Sequence, residues 1–213
     1  MKKVALIIGH NARSKGGFSS VVGSEYDYWK KVAEKIKEKI PNLVDVYERK
    51  KKKFYTQEMR EVLAKVNSKK YDCIIELHFN CASPQAHGAE FLRYWKNDRS
   101  DYIGKALLKR VSAEYGVTIR KKENFVFVKK NVDEVDELGN HNKKRKWKKE
   151  RIVTDGAILV QNSDVRGGYG ICKSRGNYIL FEPFFGSNKD EAQKFVDIEK
   201  VAQTFATFIE EVE

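Results

Sequence analysis

The hydrophobic pattern of this chain predicts an α/β fold: an open, mostly parallel twisted sheet with helices on both faces. Three observations carry that reading. Continuous apolar runs recur at Val4–Ile8, Cys73–Leu77 and Tyr178–Phe181, as strands buried on both faces require. Between them lie longer stretches with apolar residues at helical spacing. Strands alternating with helices of that length favour a parallel sheet covered on both sides.

The elements follow in order. Val4–Ile8 reads as the first strand and is followed by a polar, glycine-containing loop from His10 to Gly23. Ser24 suits a helix N-cap, with Glu25 and Asp27 in the first turn, where the helix dipole favours acids. Trp29, Val32, Ala33, Ile36 and Ile40 continue that helix to a stop at Pro41. Leu43–Tyr47 reads as a short second strand, and Thr56 as the cap of a helix carrying Met59, Val62, Leu63 and Val66. Cys73–Leu77 and Ala89–Tyr94 are strand-like, separated by a loop with Ser83, Pro84 and Gly88. Tyr102, Ala106 and Val111 place one face of a helix from about Asp101 to Glu114, with Gly116 as its stop. Tyr178–Phe181 is a late strand, and Phe195, Val201, Ala202, Phe205, Ile209 and Val212 mark a closing amphipathic helix.

One segment breaks the rhythm. Between Lys129 and Arg151 an acidic cluster (Asp133, Glu134, Asp136, Glu137) precedes the basic run KKRKWKKER from Lys143 to Arg151. A solvated insertion, hairpin or short helix, is predicted there within one domain spanning 1–213, with no separate binding domain. Arg49–Lys53 forms a second basic knot.

Composition sets the outer limits. The 213 residues are 41% hydrophobic, enough for one sizeable core, and 14 Gly with 3 Pro exclude collagen-like and low-complexity chains. Three cysteines (Cys73, Cys81, Cys172) are too few and odd in number for a disulfide framework, which suits a reducing compartment. No apolar run approaches the roughly 18 residues that cross a bilayer. The greasy start is shorter than a signal peptide's core of about 7–15 residues, so it reads as a buried strand. The net charge of +12 favours an anionic partner: nucleic acid, a membrane surface or a wall polymer.

Ligands in open parallel sheets bind beyond the carboxyl ends of the strands. The polar residues that follow the apolar runs are His10, His78 and Glu182, and Glu25 heads the helix after the first loop. Two imidazoles and a carboxylate can make an open Zn²⁺ site, leaving a fourth position for water. A further carboxylate can take that water's proton and pass it to a leaving amine. These parts suit metal-assisted amide hydrolysis, and no HExxH helix is present. Each residue also has a duller reading: a hydrogen-bonded strand-end histidine, a helix-dipole acid at Glu25, a buried ion pair at Glu182. His87 and His141 read as solvated, and Cys81 as a small buried thiol.

Taken together, these residues resemble the type 3 family of zinc-dependent N-acetylmuramoyl-L-alanine amidases, found in bacterial wall remodelling and phage endolysins. The carrying motifs are IIGHNA, GSEYDY, ELHFN (near the family's S-I-H-A-N), HGAEFL and LFEPFFGSNKDE, in the family's order. The resemblance implies His10, Glu25 and His78 as zinc ligands, Glu182 as the general base, and Asn80 as a residue orienting ligand or substrate. It further implies hydrolysis of the amide between the lactyl group of N-acetylmuramic acid and L-alanine. The chain departs from the family at Pro183, which follows the catalytic Glu position, and in the charged insertion.

A phage or prophage endolysin is then expected: a monomer, made without a signal peptide in the host cytoplasm, acting on the wall or periplasm after release. Its basic clusters would hold an anionic wall or membrane surface. Two alternatives stand beside it. One is a zinc peptidase acting on stem peptides. The other is a basic nucleic-acid-binding protein, although a Lys/Arg run with one Trp147 is only a modest signal for nucleic acid.

Overall fold

The computed structural model describes residues 3–135 and 141–212, with side chains at 133–135 and 141–144 also outside the description. The side chains of Asp133, Glu134 and His141, and the whole of Asp136 and Glu137, therefore lie outside the description.

Six strands form the central sheet: β1 (Val4–Ile8), β4 (Val44–Tyr47), β5 (Cys73–Leu77), β6 (Glu90–Tyr94), β9 (Ala157–Val160) and β10 (Tyr178–Glu182). Their spatial order is β4-β1-β5-β10-β6-β9. All neighbours are parallel except β10 with β6, which makes the sheet mostly parallel, as predicted. A two-residue ladder, β2 (Phe18–Ser19) with β3 (Gly23–Ser24), folds the first loop back on itself.

Six helices complete the described fold: α1 (Glu25–Lys39), α2 (Tyr55–Val66), α3 (Asp98–Tyr115), α4 (Gly168–Lys173), α5 (Lys189–Gln193) and α6 (Ile198–Glu211). Strand alternation divides the core in two. Val4, Leu6 and Ile8 of β1 face the layer of α1, α3 and α6, whereas Ala5 and Ile7 face α2 and α4. Trp29 of α1 is fully buried and meets Phe205 of α6 edge to face at 5.8 Å.

Local chemistry explains most boundaries. Ser24 caps α1, accepting the Asp27 backbone N–H, and Gly116 ends α3 with φ 60°. Three expectations need correction, the first being Phe195, which precedes the closing helix because α6 starts only at Ile198 after its Asp197 cap. Thr56 does not cap α2, which starts at Tyr55 after Phe54 and has no side-chain cap. Tyr102 does not belong to the buried face of α3. It is 53% exposed, and the helix turns Ile103, Leu107, Leu108 and Val111 inward instead.

The insertion is a hairpin, and a longer one than its charge pattern indicated. Strands β7 (Lys121–Val135) and β8 (His141–Asp155), fifteen residues each, pair antiparallel from Lys121↔Asp155 outward. Asn124 anchors the base: its amide nitrogen donates to Ala157 O at 3.1 Å, and its oxygen accepts from Leu159 N at 2.8 Å.

Candidate metal centre and groove

Strands β1, β5 and β10 are adjacent and parallel, with Ile8 and Phe181 both level with Leu77. Whatever follows each strand must therefore meet at one sheet end, because neighbouring strands run only about 4.8 Å apart. His78 follows Leu77 directly, Glu182 follows Phe181 as the last residue of β10, and His10 follows Ile8 after Gly9. Helix α1 begins over the same edge and supplies Glu25 from its first turn. These four predicted residues line one groove of about 490 Å³, together with Arg166 and Glu76.

Glu25 is the hub. Its Oε2 lies 3.2 Å from His10 Nε2, and its Oε1 lies 2.7 Å from His78 Nδ1. Backbone amides orient the carboxylate further, from Gly17 at 2.8 Å and Phe79 at 3.1 Å. One ligand-capable atom from each of His10, Glu25 and His78 falls within 4.8 Å of the others. Burial would raise the Glu25 pKa, but the two imidazoles hold it well below the usual carboxylate range.

The surroundings leave room for nothing bulkier. A Cβ on Gly16 would sit 2.4 Å from the His10 ring and 2.5 Å from Glu25 Oε2, at a φ of 76°. A Cβ on Gly9 would sit 2.6 Å from the His78 ring. His10 itself has φ 66°, the sole positive value at a non-glycine among the described residues. Such conformations cost about 1–3 kcal/mol and persist where the surroundings over-determine them. Two imidazoles and a carboxylate, packed this closely and with strained backbone, fit a divalent cation of the zinc type.

Glu76 went unnoticed in the sequence. It occupies the Ser position of S-I-H-A-N, and it is 1% exposed. Its Oε1 lies 3.1 Å from His78 Nε2, which has no aligned hydrogen-bond acceptor, and its Oε2 accepts from the Tyr178 hydroxyl at 2.6 Å. His78 therefore has a carboxylate at each ring nitrogen. Burial would lower its pKa, yet Glu25 and Glu76 raise it to about 10. The missed signal was a single acid inside an otherwise apolar strand, CIIEL.

Glu182 is 1% exposed; its Oε1 takes Arg166 at 2.5 Å and its Oε2 has no hydrogen-bond partner. Burial pushes its pKa up to about 7, opposed by Arg166 and His78 and assisted by Glu90 and Glu25. Asn80 does not face the open groove. Its amide nitrogen donates to Glu90 at 2.8 Å, and its oxygen is 3.4 Å from the Arg166 guanidinium. Arg166 also escaped notice, since a lone Arg in the loop VRGGYG carries no periodic signal.

Three other expectations resolve here. Cys81 is exposed, not buried, against the first loop, and all three cysteines are free. His87 is exposed, as expected. Arg49 is 5% exposed and donates to His10 O at 3.1 Å, so only Lys50–Lys53 of that basic knot face solvent. No described helix is long and apolar enough to cross a membrane.

Fold and site together define an open-sheet α/β protein with a metal-competent His-Glu-His group at its strand ends. Over residues 4–211 the chain matches the Amidase_3 family, described as N-acetylmuramoyl-L-alanine amidase, and it belongs to that family. No curated protein matches its sequence significantly. Among solved structures it is similar to the catalytic domain of the CD27L endolysin targeting Clostridia Difficile (19% identity, TM-score 0.65, covering 98% of this chain and 97% of that one). The CwlD amidase of Clostridioides difficile, solved with the GerS lipoprotein, is similar at 16% identity and TM-score 0.64, with the same coverages. So is the catalytic domain of CwlV from Bacillus (Paenibacillus) polymyxa, at 18% and 0.63, again with 98% and 97% covered. At these identities the likeness is one of fold.

Proposed function

We propose that this protein hydrolyses the amide between the lactyl group of N-acetylmuramic acid and L-alanine in bacterial peptidoglycan, in a zinc-dependent reaction of the endolysin type. Family membership supports the bond, and the His10–Glu25–His78 cluster facing Glu182 across one groove carries the reading. Residues 4–211 act as a single catalytic unit from which the ribbon projects.

His10, Glu25 and His78 would hold Zn²⁺, which when bound polarises a carbonyl and lowers the pKa of water towards ~7. The remaining steps belong to the protein. Glu182 takes the proton of the attacking water and returns it to the amine of L-alanine as that group leaves. Its burial suits this two-way traffic, because a base near neutral pKa both accepts and donates. Arg166 holds the Glu182 carboxylate in place, and Asn80 ties it to Glu90, the residue paired with Glu182 across the antiparallel ladder. Glu76 orients the His78 ring, as carboxylates behind metal-binding histidines commonly do.

Purified muropeptides provide the test. The expected products are stem peptides with a free L-alanine amine and sugars with an intact lactyl group, lost on chelation and restored by zinc. Release of a terminal amino acid alone would favour the stem-peptide peptidase and overturn the amidase.

A further inference from the structure

The β7–β8 ribbon is the largest feature that this chemistry leaves unused, and its two faces differ. Near the base, even-numbered Asn124 and Val126 turn inward and are buried. Every odd-numbered residue from Lys121 to Asn131 and from Arg145 to Asp155 is exposed. On that outward face Phe125, Phe127 and Trp147 are 49%, 51% and 65% exposed. Register sets Phe125 opposite Arg151, Phe127 opposite Lys149, and Lys129 opposite Trp147. Lys149 Nζ lies 4.1 Å from the Phe125 ring centroid, and Lys129 Nζ lies 5.1 Å from that of Trp147.

Three large rings left in water at one place mark an interaction surface. Cations interleaved with the rings narrow the partner. A membrane-binding face separates the two, with rings in the acyl boundary and charges on the opposite side. Here both share one face. The complementary polymer offers apolar ring faces and negative charges along the same line. Saccharide rings present C–H faces to aromatics, and the stem peptides of wall glycan add carboxylates that Lys and Arg bind.

We propose that the outward face of this ribbon is a docking surface for the peptidoglycan glycan. Phe125, Phe127 and Trp147 stack on sugar rings, and Lys129 and Lys149 pair with stem-peptide carboxylates, whereas Arg151 on the same face is held by Glu123 at 2.7 Å. The choice of polymer rests on the amidase reading. The ribbon is rooted beside the groove: Ala157, two residues after β8, is level with Phe91, and Phe91 with Phe181 of β10. A docked strand is held close to the site while taking no part in bond cleavage.

The test is co-sedimentation with purified sacculi stripped of attached anionic polymers, using the Glu182→Gln protein so that the wall stays intact. The triple change Phe125→Thr, Phe127→Thr and Trp147→Thr should weaken binding at least tenfold. The pair Lys129→Glu and Lys149→Glu should also weaken it and flatten its salt dependence. With Glu182 restored, the triple variant should cleave soluble muropeptides at the parent rate and clear whole walls more slowly. Circular dichroism checks folding, and the charge variant decides the matter if the aromatic one unfolds. Unchanged sedimentation of both variants would overturn the proposal. So would tighter binding of the parent to anionic phospholipid vesicles or single-stranded DNA than to sacculi, or a dimer in light scattering that the triple change dissolves. If ribbon-dependent sedimentation persists while the parent cleaves no muropeptide, the amidase reading fails and the docking surface stands.

Discussion

At the scale of single residues, two buried acids make separable predictions. Glu182→Gln should retain metal, because Glu182 lies outside the His-Glu-His cluster, yet lose turnover by roughly 10²–10⁴-fold, the range that general acid–base groups supply. Stability should move the other way. A carboxyl whose pKa rises from 4.5 to about 7 on folding carries no penalty below pH 4.5 and a growing one up to pH 7. In the metal-free protein, denaturant titrations should show Glu182→Gln gaining on the parent through that window, by about 1–3 kcal/mol at its top. An equal difference at pH 4 and pH 8 would refute the assigned shift. Glu76→Gln should leave the fold intact and weaken zinc binding about 10–100-fold in a competition titration with a chromophoric chelator. Glu76→Asp should recover part of that loss, whereas unaltered affinity in both would remove Glu76 from the site.

At the scale of elements, His10, His78 and Glu182 were legible because each follows an apolar run, and a parallel sheet brings such positions together. Glu25 was legible as the acid after an N-capping Ser24. Glu76 and Arg166 were not, since one hides inside a strand and the other lies in a loop, and only tertiary contact shows their targets. The ribbon was half legible. Its basic run stood out, but the short apolar run of Phe125, Val126, Phe127 and Val128 was lost among the lysines. Short strand β9 and helix α4 passed unnoticed for want of length. The loop between β1 and α1 carries its own prediction. Gly16→Ala should lose zinc and activity together while α1 still forms, because the new methyl meets His10 and Glu25 at a φ that alanine resists. Full metal content in Gly16→Ala would show that the loop yields.

At the scale of the whole molecule, two apolar layers clamp the sheet, and the groove opens where three parallel strands end between them. Phe205 does not line the groove; it packs in the apolar layer against Trp29 and Phe181. Phe205→Ala should therefore cost about 3–5 kcal/mol in chemical denaturation while sparing the activity of the folded fraction. The +12 charge, ambiguous between partners at the outset, divides into an inward Arg49 beneath His10 and cations on the ribbon and the Lys50–Lys53 surface. The central claim is that His10, Glu25 and His78 hold a catalytic metal while Glu182 moves protons. Zinc stoichiometry measured beside muropeptide cleavage tests it most directly, across the parent, His10→Ala, His78→Ala and Glu182→Gln. The account predicts one zinc per chain in the parent and in Glu182→Gln, cleavage in the parent alone, and neither in the histidine variants. Zinc lost from Glu182→Gln, or cleavage surviving in His10→Ala, would contradict it.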